Sequence, residues 1–141
     1  MRTIKNILLV EDDKDDQGFF ATAISHIPNA KLQGIADNGM DALEILSHSQ
    51  TLPDFIFMDV NMPRMNGLEC LTQLSQSPTL KNIPVIMLST SVREAHKALT
   101  CGAREFINKP NSEALLLKEL TRIIAPAVLT TSLVALTAIV A

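Results

Sequence analysis

Cysteine is scarce in this chain: Cys70 and Cys101 are the only two in 141 residues. They have neither C-x-x-C spacing nor the density of a disulfide scaffold, so a stapled secreted fold is excluded and a reducing, cytoplasmic setting is expected. Positive charge is also in deficit. Lys+Arg 12 against Asp+Glu 15 gives a net charge of −3 and a pI of about 5.5. Binding along a phosphate backbone needs clustered Lys and Arg, so nucleic acid is excluded as a partner class. The three histidines, His26, His48 and His96, show no metal-ligand or catalytic-base spacing. The start, Met1 to Lys5, runs through a short apolar stretch straight into acids at Glu11, too short for a secretory leader. Repeats and low-complexity segments are absent, and 47% hydrophobic residues exclude the disordered class.

What remains fits one domain, large enough to bury roughly 68% of its unfolded surface. Short apolar runs alternate with stretches of helical period. Ile7–Val10, Lys31–Ile35, Phe55–Met58, Val85–Leu88 and Phe106–Ile107 read as five strands. Between and after them lie five helices, carrying Phe19, Phe20, Ala23, Ile24 and Ile27; Ala42, Leu43, Ile45 and Leu46; Leu68, Leu71 and Leu74; Ala95, Ala98 and Leu99; and Leu115, Leu116, Leu120 and Ile123. Asp13, Asp15 and Asp16 suit the positive end of the first helix, and Gly102 suits the end of the fourth. Strands apolar on consecutive residues must be covered on both faces. That predicts an α/β, doubly wound, five-stranded parallel sheet between helix layers.

In such a sheet, functional groups collect at the carboxyl ends of the strands. Those ends deliver Glu11 and Asp12, then Asp59, then Ser89 and Thr90, then Lys109. Like charges about 4 Å apart repel by about 4 kcal/mol at an effective dielectric of 20, so converging carboxylates call for a counter-charge. Lys109 alone is insufficient for three acids. An all-oxygen ligand set with no His or Cys points to Mg2+. A carboxylate beside such an ion can attack phosphorus, with a lysine and a hydroxyl meeting the phosphoryl oxygens.

The stretches Ile7-Leu8-Leu9-Val10-Glu11-Asp12-Asp13, Met58-Asp59-Val60-Asn61-Met62-Pro63-Arg64-Met65-Asn66-Gly67, Pro84 to Ser89 and Phe106-Ile107-Asn108-Lys109-Pro110 resemble, in order, the receiver domains of two-component response regulators. The resemblance covers residues 4–125. It implies a flavodoxin-like fold of strand order 2-1-3-4-5 and Asp59 as the phosphoryl acceptor, charged by a sensor histidine kinase or phosphotransfer protein. It implies Mg2+ held by Asp12, Asp59 and the backbone carbonyl of Asn61, with Glu11 acting through water. Lys109 would bridge to the phosphoryl group, and Pro110 would follow a cis bond. Ser89 and Phe106 would form the switch that remodels the fourth helix, fifth strand and fifth helix, where a downstream protein docks.

Three positions depart from the family pattern. The chain has no tyrosine, and Phe106 stands where tyrosine is frequent. The span between Ser89 and Lys109 is slightly short, which predicts a trimmed loop or fourth helix. Asn111 follows Pro110 where an apolar residue is common. A Mg2+-dependent phosphohydrolase with an Asp nucleophile is the enzyme-class alternative; such enzymes want an acid at the position held here by Asn61, and no cap domain is expected. Residues 1–125 are expected to form the receiver and 126–141 an apolar extension. All charge lies at or before Arg122. Counted from Pro126 the extension falls short of the ~20 residues that cross a bilayer. As a helix it presents Leu129, Leu133, Leu136 and Val140 as a seam, suited to packing on its own domain or pairing two copies as a homodimer. Membrane tethering is the rival reading. At 141 residues no output domain is expected.

Overall fold

The computed structural model describes residues 3–125. Five strands, β1 (Lys5–Val10), β2 (Ala30–Ala36), β3 (Phe55–Asp59), β4 (Val85–Ser89) and β5 (Glu105–Asn108), alternate with five helices. The helices are α1 (Lys14–Ser25), α2 (Gly39–His48), α3 (Gly67–Gln76), α4 (Ala95–Thr100) and α5 (Glu113–Ile124). The sheet is parallel throughout, in the order β2-β1-β3-β4-β5. The doubly wound, flavodoxin-like architecture expected from the sequence is the one found.

The consecutive apolar residues of the central strands divide between two cores, because successive side chains in a strand point to opposite faces. Leu8, Val10, Ile56, Met58, Val85 and Met87 pack with Ala42 and Leu46 of α2 and Leu71 and Leu74 of α3. Ile7, Leu9, Phe57, Ile86, Leu88 and Ile107 pack with Phe20 and Ile24 of α1 and Leu116, Leu120 and Ile124 of α5. Three of the apolar helix residues are turned outward: Phe19, Leu99 and Leu115 are exposed. The buried stripe of α1 runs through Gln17, Phe20, Ala23 and Ile24, and that of α5 through Leu116, Leu120 and Ile124. One residue off such a stripe is a rotation of about 100°, which carries the neighbouring side chain to solvent.

Several helix starts carry their own stop and start chemistry. Asp13, Asn38, Asn66 and Ser112 each accept a hydrogen bond from the backbone N–H three residues on. At Asn66 the pairing is reciprocal, with Glu69 reaching back to the Asn66 N–H. The shortened span after β4 is accommodated by α4, which has 6 residues after a 3-10 turn over Val92–Glu94. It ends in a Schellman arrangement: Gly102 adopts φ 115° and its N–H donates to the Leu99 carbonyl, while the Ala103 N–H donates to that of Ala98. Among the described residues no helix is long and apolar enough to cross a membrane. The expected extension, 126–141, with its packing, homodimer and membrane readings, lies outside the described residues.

Candidate functional site

Strand register explains why the acids meet. β1 and β3 run side by side with Val10 opposite Met58, so Glu11 and Asp59 emerge together one step later. The Glu11 N–H still donates to Ala36, which extends the β1–β2 pairing up to the site. Asp12 follows at the turn into α1 and is exposed, whereas Glu11 and Asp59 are buried. One carboxylate oxygen from each of Glu11, Asp12 and Asp59 falls within 4.8 Å of the others. From the other side, Ser89 pairs with Asn108 and its carbonyl accepts from the Lys109 N–H at 2.8 Å. That bond aims the next side chain back across the strand ends. Lys109 Nζ donates to Glu11 Oε1 at 2.7 Å and to Asp16 Oδ2 at 3.1 Å, and stands 3.3 Å from Asp59 Oδ1.

The electrostatics follow from this crowding. Burial pushes the Glu11 carboxyl up to about 7; the hydrogen bond from Lys109 opposes that rise and the charge of Asp59 adds to it. Burial likewise raises Asp59 above its ordinary range, against the pull of Lys109 and with the help of the negative Asp12. Burial of Lys109 alone would favour its neutral form, but the hydrogen bond to Glu11 and the charges of Asp59 and Glu11 outweigh it and hold the ammonium firmly protonated. One cation thus faces more negative charge than it can neutralise. The remaining deficit, an all-oxygen donor set and the open side at Asp12 fit a hard divalent cation.

The loop after β3 is built for close approach. A Cβ on Gly67 would lie 2.2 Å from the Asp59 carbonyl oxygen and 2.8 Å from Met87 Cε, and the Gly67 N–H donates to Val60 at 2.8 Å. Only glycine lets the start of α3 press against the Asp59 backbone. Met62 and Met65 are buried and anchor the loop, while Arg64 takes φ 66° and its guanidinium stands 3.8 Å from Asp41.

The other expected residues are placed as follows. Ser89 is buried at the tip of β4, its hydroxyl accepting from the Ser91 N–H at 3.1 Å. It makes a local turn rather than capping α4. Asn61 and Thr90 are exposed on the loops around the site. Phe106 sits apart from the acids, half-buried against the α2–α3 core and paired in register with Met87. The cis bond before Pro110 is not present: every peptide bond among the described residues is trans. Trans is favoured before proline by about 0.5–1 kcal/mol, and in this geometry Lys109 already reaches its partners.

Two participants go beyond the sequence expectations. Gln17 is buried and donates to the Glu11 carbonyl at 2.6 Å and to Asp37 Oδ1 at 2.9 Å, clamping the backbone that carries the acid pair. Its spacing of three and seven from Phe20 and Ile24 places a polar residue on the buried stripe, a signal legible in the sequence. Asp16, read as a helix-end charge, also contacts Lys109, 93 residues away; no local pattern announces that contact.

A family model described as the response regulator receiver domain matches residues 7–121. The chain belongs to that family. Its resemblance to a protein-glutamate methylesterase/protein-glutamine glutaminase of Vibrio cholerae reaches 36% identity over 108 residues, 74% of this chain but 28% of the relative. The chain spans about a third or less of the curated enzymes of that name that it matches. Among solved structures, the phosphorylated cyanobacterial phytochrome response regulator RcpA is 28% identical with a TM-score of 0.76, covering 85% of this chain and 93% of that one. The Mn2+-bound form of response regulator Rcp1 is 27% identical with a TM-score of 0.74, covering 84% and 93%. The chain is therefore a receiver domain of two-component signal transduction, a family whose members are switched by phosphorylation of an aspartate. The phosphohydrolase alternative is not favoured.

Proposed function

We propose that Asp59 is the phosphoryl acceptor of this receiver, with a sensor histidine kinase or phosphotransfer protein as donor. The observation that carries this is the meeting of Glu11, Asp12 and Asp59 within 4.8 Å under a single lysine. Asp59 is the member at the end of a central strand, with Gly67 pressed against its backbone so that its carboxylate has a fixed place. An Asp59 oxygen attacks phosphorus, the bond from phosphorus to the donor's nitrogen breaks, and that nitrogen keeps the electron pair. Lys109 and the Ser89 hydroxyl meet the phosphoryl oxygens; for Ser89 this means exchanging the Ser91 N–H for a new partner.

Asp12, Asp59 and the backbone carbonyl of Asn61 would hold Mg2+, with Glu11 acting through water. When bound, the ion supplies positive charge to the oxygens of the transferring group. That one similar structure is an Mn2+-bound response regulator and another a phosphorylated one supports a divalent cation and a phosphoryl group as the ligands in this reading. Residues 1–125 form the receiver unit in this reading. Movement of Ser89 and Phe106 then alters the α4–β5–α5 face for a downstream protein. The short α4, the exposed Leu99 and Leu115 and the half-buried Phe106 lie on that face and give it an apolar character.

Acetyl phosphate with Mg2+ is the direct probe. Intact-mass measurement is expected to show one added phosphoryl group, absent after chelation and absent in Asp59→Asn. Labelling that survives either change overturns the assignment.

A further inference from the structure

We propose that Asp16 is a positioning residue that occupies one of the Lys109 ammonium's donors in the unphosphorylated protein and thereby slows phosphoryl acceptance; this rests on Asp59 being the acceptor. An ammonium has three N–H donors. Lys109 spends them on Glu11 at 2.7 Å, on Asp16 at 3.1 Å and on the ion pair with Asp59 at 3.3 Å, so none is left over. The arriving phosphoryl group brings oxygens that need the same ammonium, and Asp16 competes with them directly.

Asp16 is also held where it competes. It lies in the first turn of α1, and its N–H is bonded to Asp13 Oδ1 at 2.9 Å, so the start of the helix fixes where its side chain projects. Its neighbour Asp15 carries the same charge in the same turn, yet among the described residues it makes no ion pair. Position rather than net charge singles out Asp16. Its side chain is 50% exposed against 19% for Lys109, so solvent screens the contact and makes it a brake rather than a lock. Glu11, at 3%, is the permanent partner; Asp16 is the one that can let go.

Initial rates of Asp59 labelling by acetyl phosphate at saturating donor and Mg2+ test this. Asp16→Asn keeps shape and cap while removing the charge, and it is expected to raise the saturated rate about fivefold. Asp15→Asn, an equal change of net charge, is expected to leave the rate unchanged. In a Lys109→Gln background Asp16→Asn is expected to have no effect, because the competition has lost its object. Relief of general repulsion toward an anionic donor would instead show in the donor's KM, in Asp15→Asn and in the Lys109→Gln background. Any of those patterns, or no acceleration in Asp16→Asn, overturns the proposal. An unmodified chain that takes no label at Asp59 would overturn the acceptor reading and this proposal with it. A labelled unmodified chain with an unaccelerated variant removes the brake alone.

Discussion

In metal-free solution the protein is expected to lose stability as the pH rises from about 4.5 to 7. The sign follows from Glu11. Its carboxyl titrates near 4.5 when unfolded and is pushed up to about 7 in the fold, mainly by burial. Between those values the folded state binds more protons than the unfolded state, so stability falls as pH rises through the window. Asp59, raised for the same reason, acts in the same direction. Each unit of difference corresponds to about 1.4 kcal/mol, which sets an upper scale of about 3 kcal/mol for Glu11. Mg2+ favours the ionised carboxylates and is expected to flatten the dependence, and Asp59→Asn is expected to reduce it by removing one of the crowded charges. Urea midpoints measured with chelator and with Mg2+ across this range check the expectation. A chelated protein whose midpoint rises from pH 4.5 to 7 would show that these acids are not crowded as described.

Gly67→Ala is expected to be the most damaging small substitution in the loop. The new methyl would stand 2.2 Å from the Asp59 carbonyl oxygen, a backbone atom inside a five-stranded sheet that cannot swing aside. Overpacking of a rigid contact costs about 3 kcal/mol. The relief it forces, a shift of α3 or of the end of β3, also displaces Asp59, the proposed acceptor, and misplacement by about 1 Å lowers a transfer rate on the order of a hundredfold. Gly18→Ala supplies the contrast. A Cβ there meets nothing within 4 Å, and the residue lies inside α1, so a gain of about 0.5–1 kcal/mol is expected. Denaturation midpoints and labelling rates of the two variants check both statements. A Gly67→Ala variant as stable and as readily labelled as the parent would contradict the geometry around Asp59.

The architecture was legible in the sequence because strands buried on both faces leave an unmistakable mark: Phe55-Ile56-Phe57-Met58 and Val85-Ile86-Met87-Leu88 are apolar at every position, and each contributes to both cores. Strand ends determine where the chemistry collects, so Glu11, Asp12, Asp59 and Lys109 group together on sequence grounds alone. Phase was harder. Phe19 and Phe20, and Leu115 and Leu116, are adjacent pairs of similar residues, and composition does not say which of each pair faces inward. Contacts between side chains distant in sequence were harder still. Asp16 serves the start of α1 and touches Lys109 as well, and only the fold, which brings that helix start to the end of β5, reveals the second role. The cis bond before Pro110 came from resemblance alone, and the trans bond found corrects it.

The most direct measurement is localisation of the label. After incubation with acetyl phosphate and Mg2+, borohydride reduction converts an acyl-phosphorylated aspartate to homoserine, which peptide fragmentation reads at a single position. The expected result is homoserine at position 59 and nowhere else. Conversion at Asp12, or a phosphoryl group found on a serine or histidine with Asp59 intact, would contradict the assignment of the acceptor.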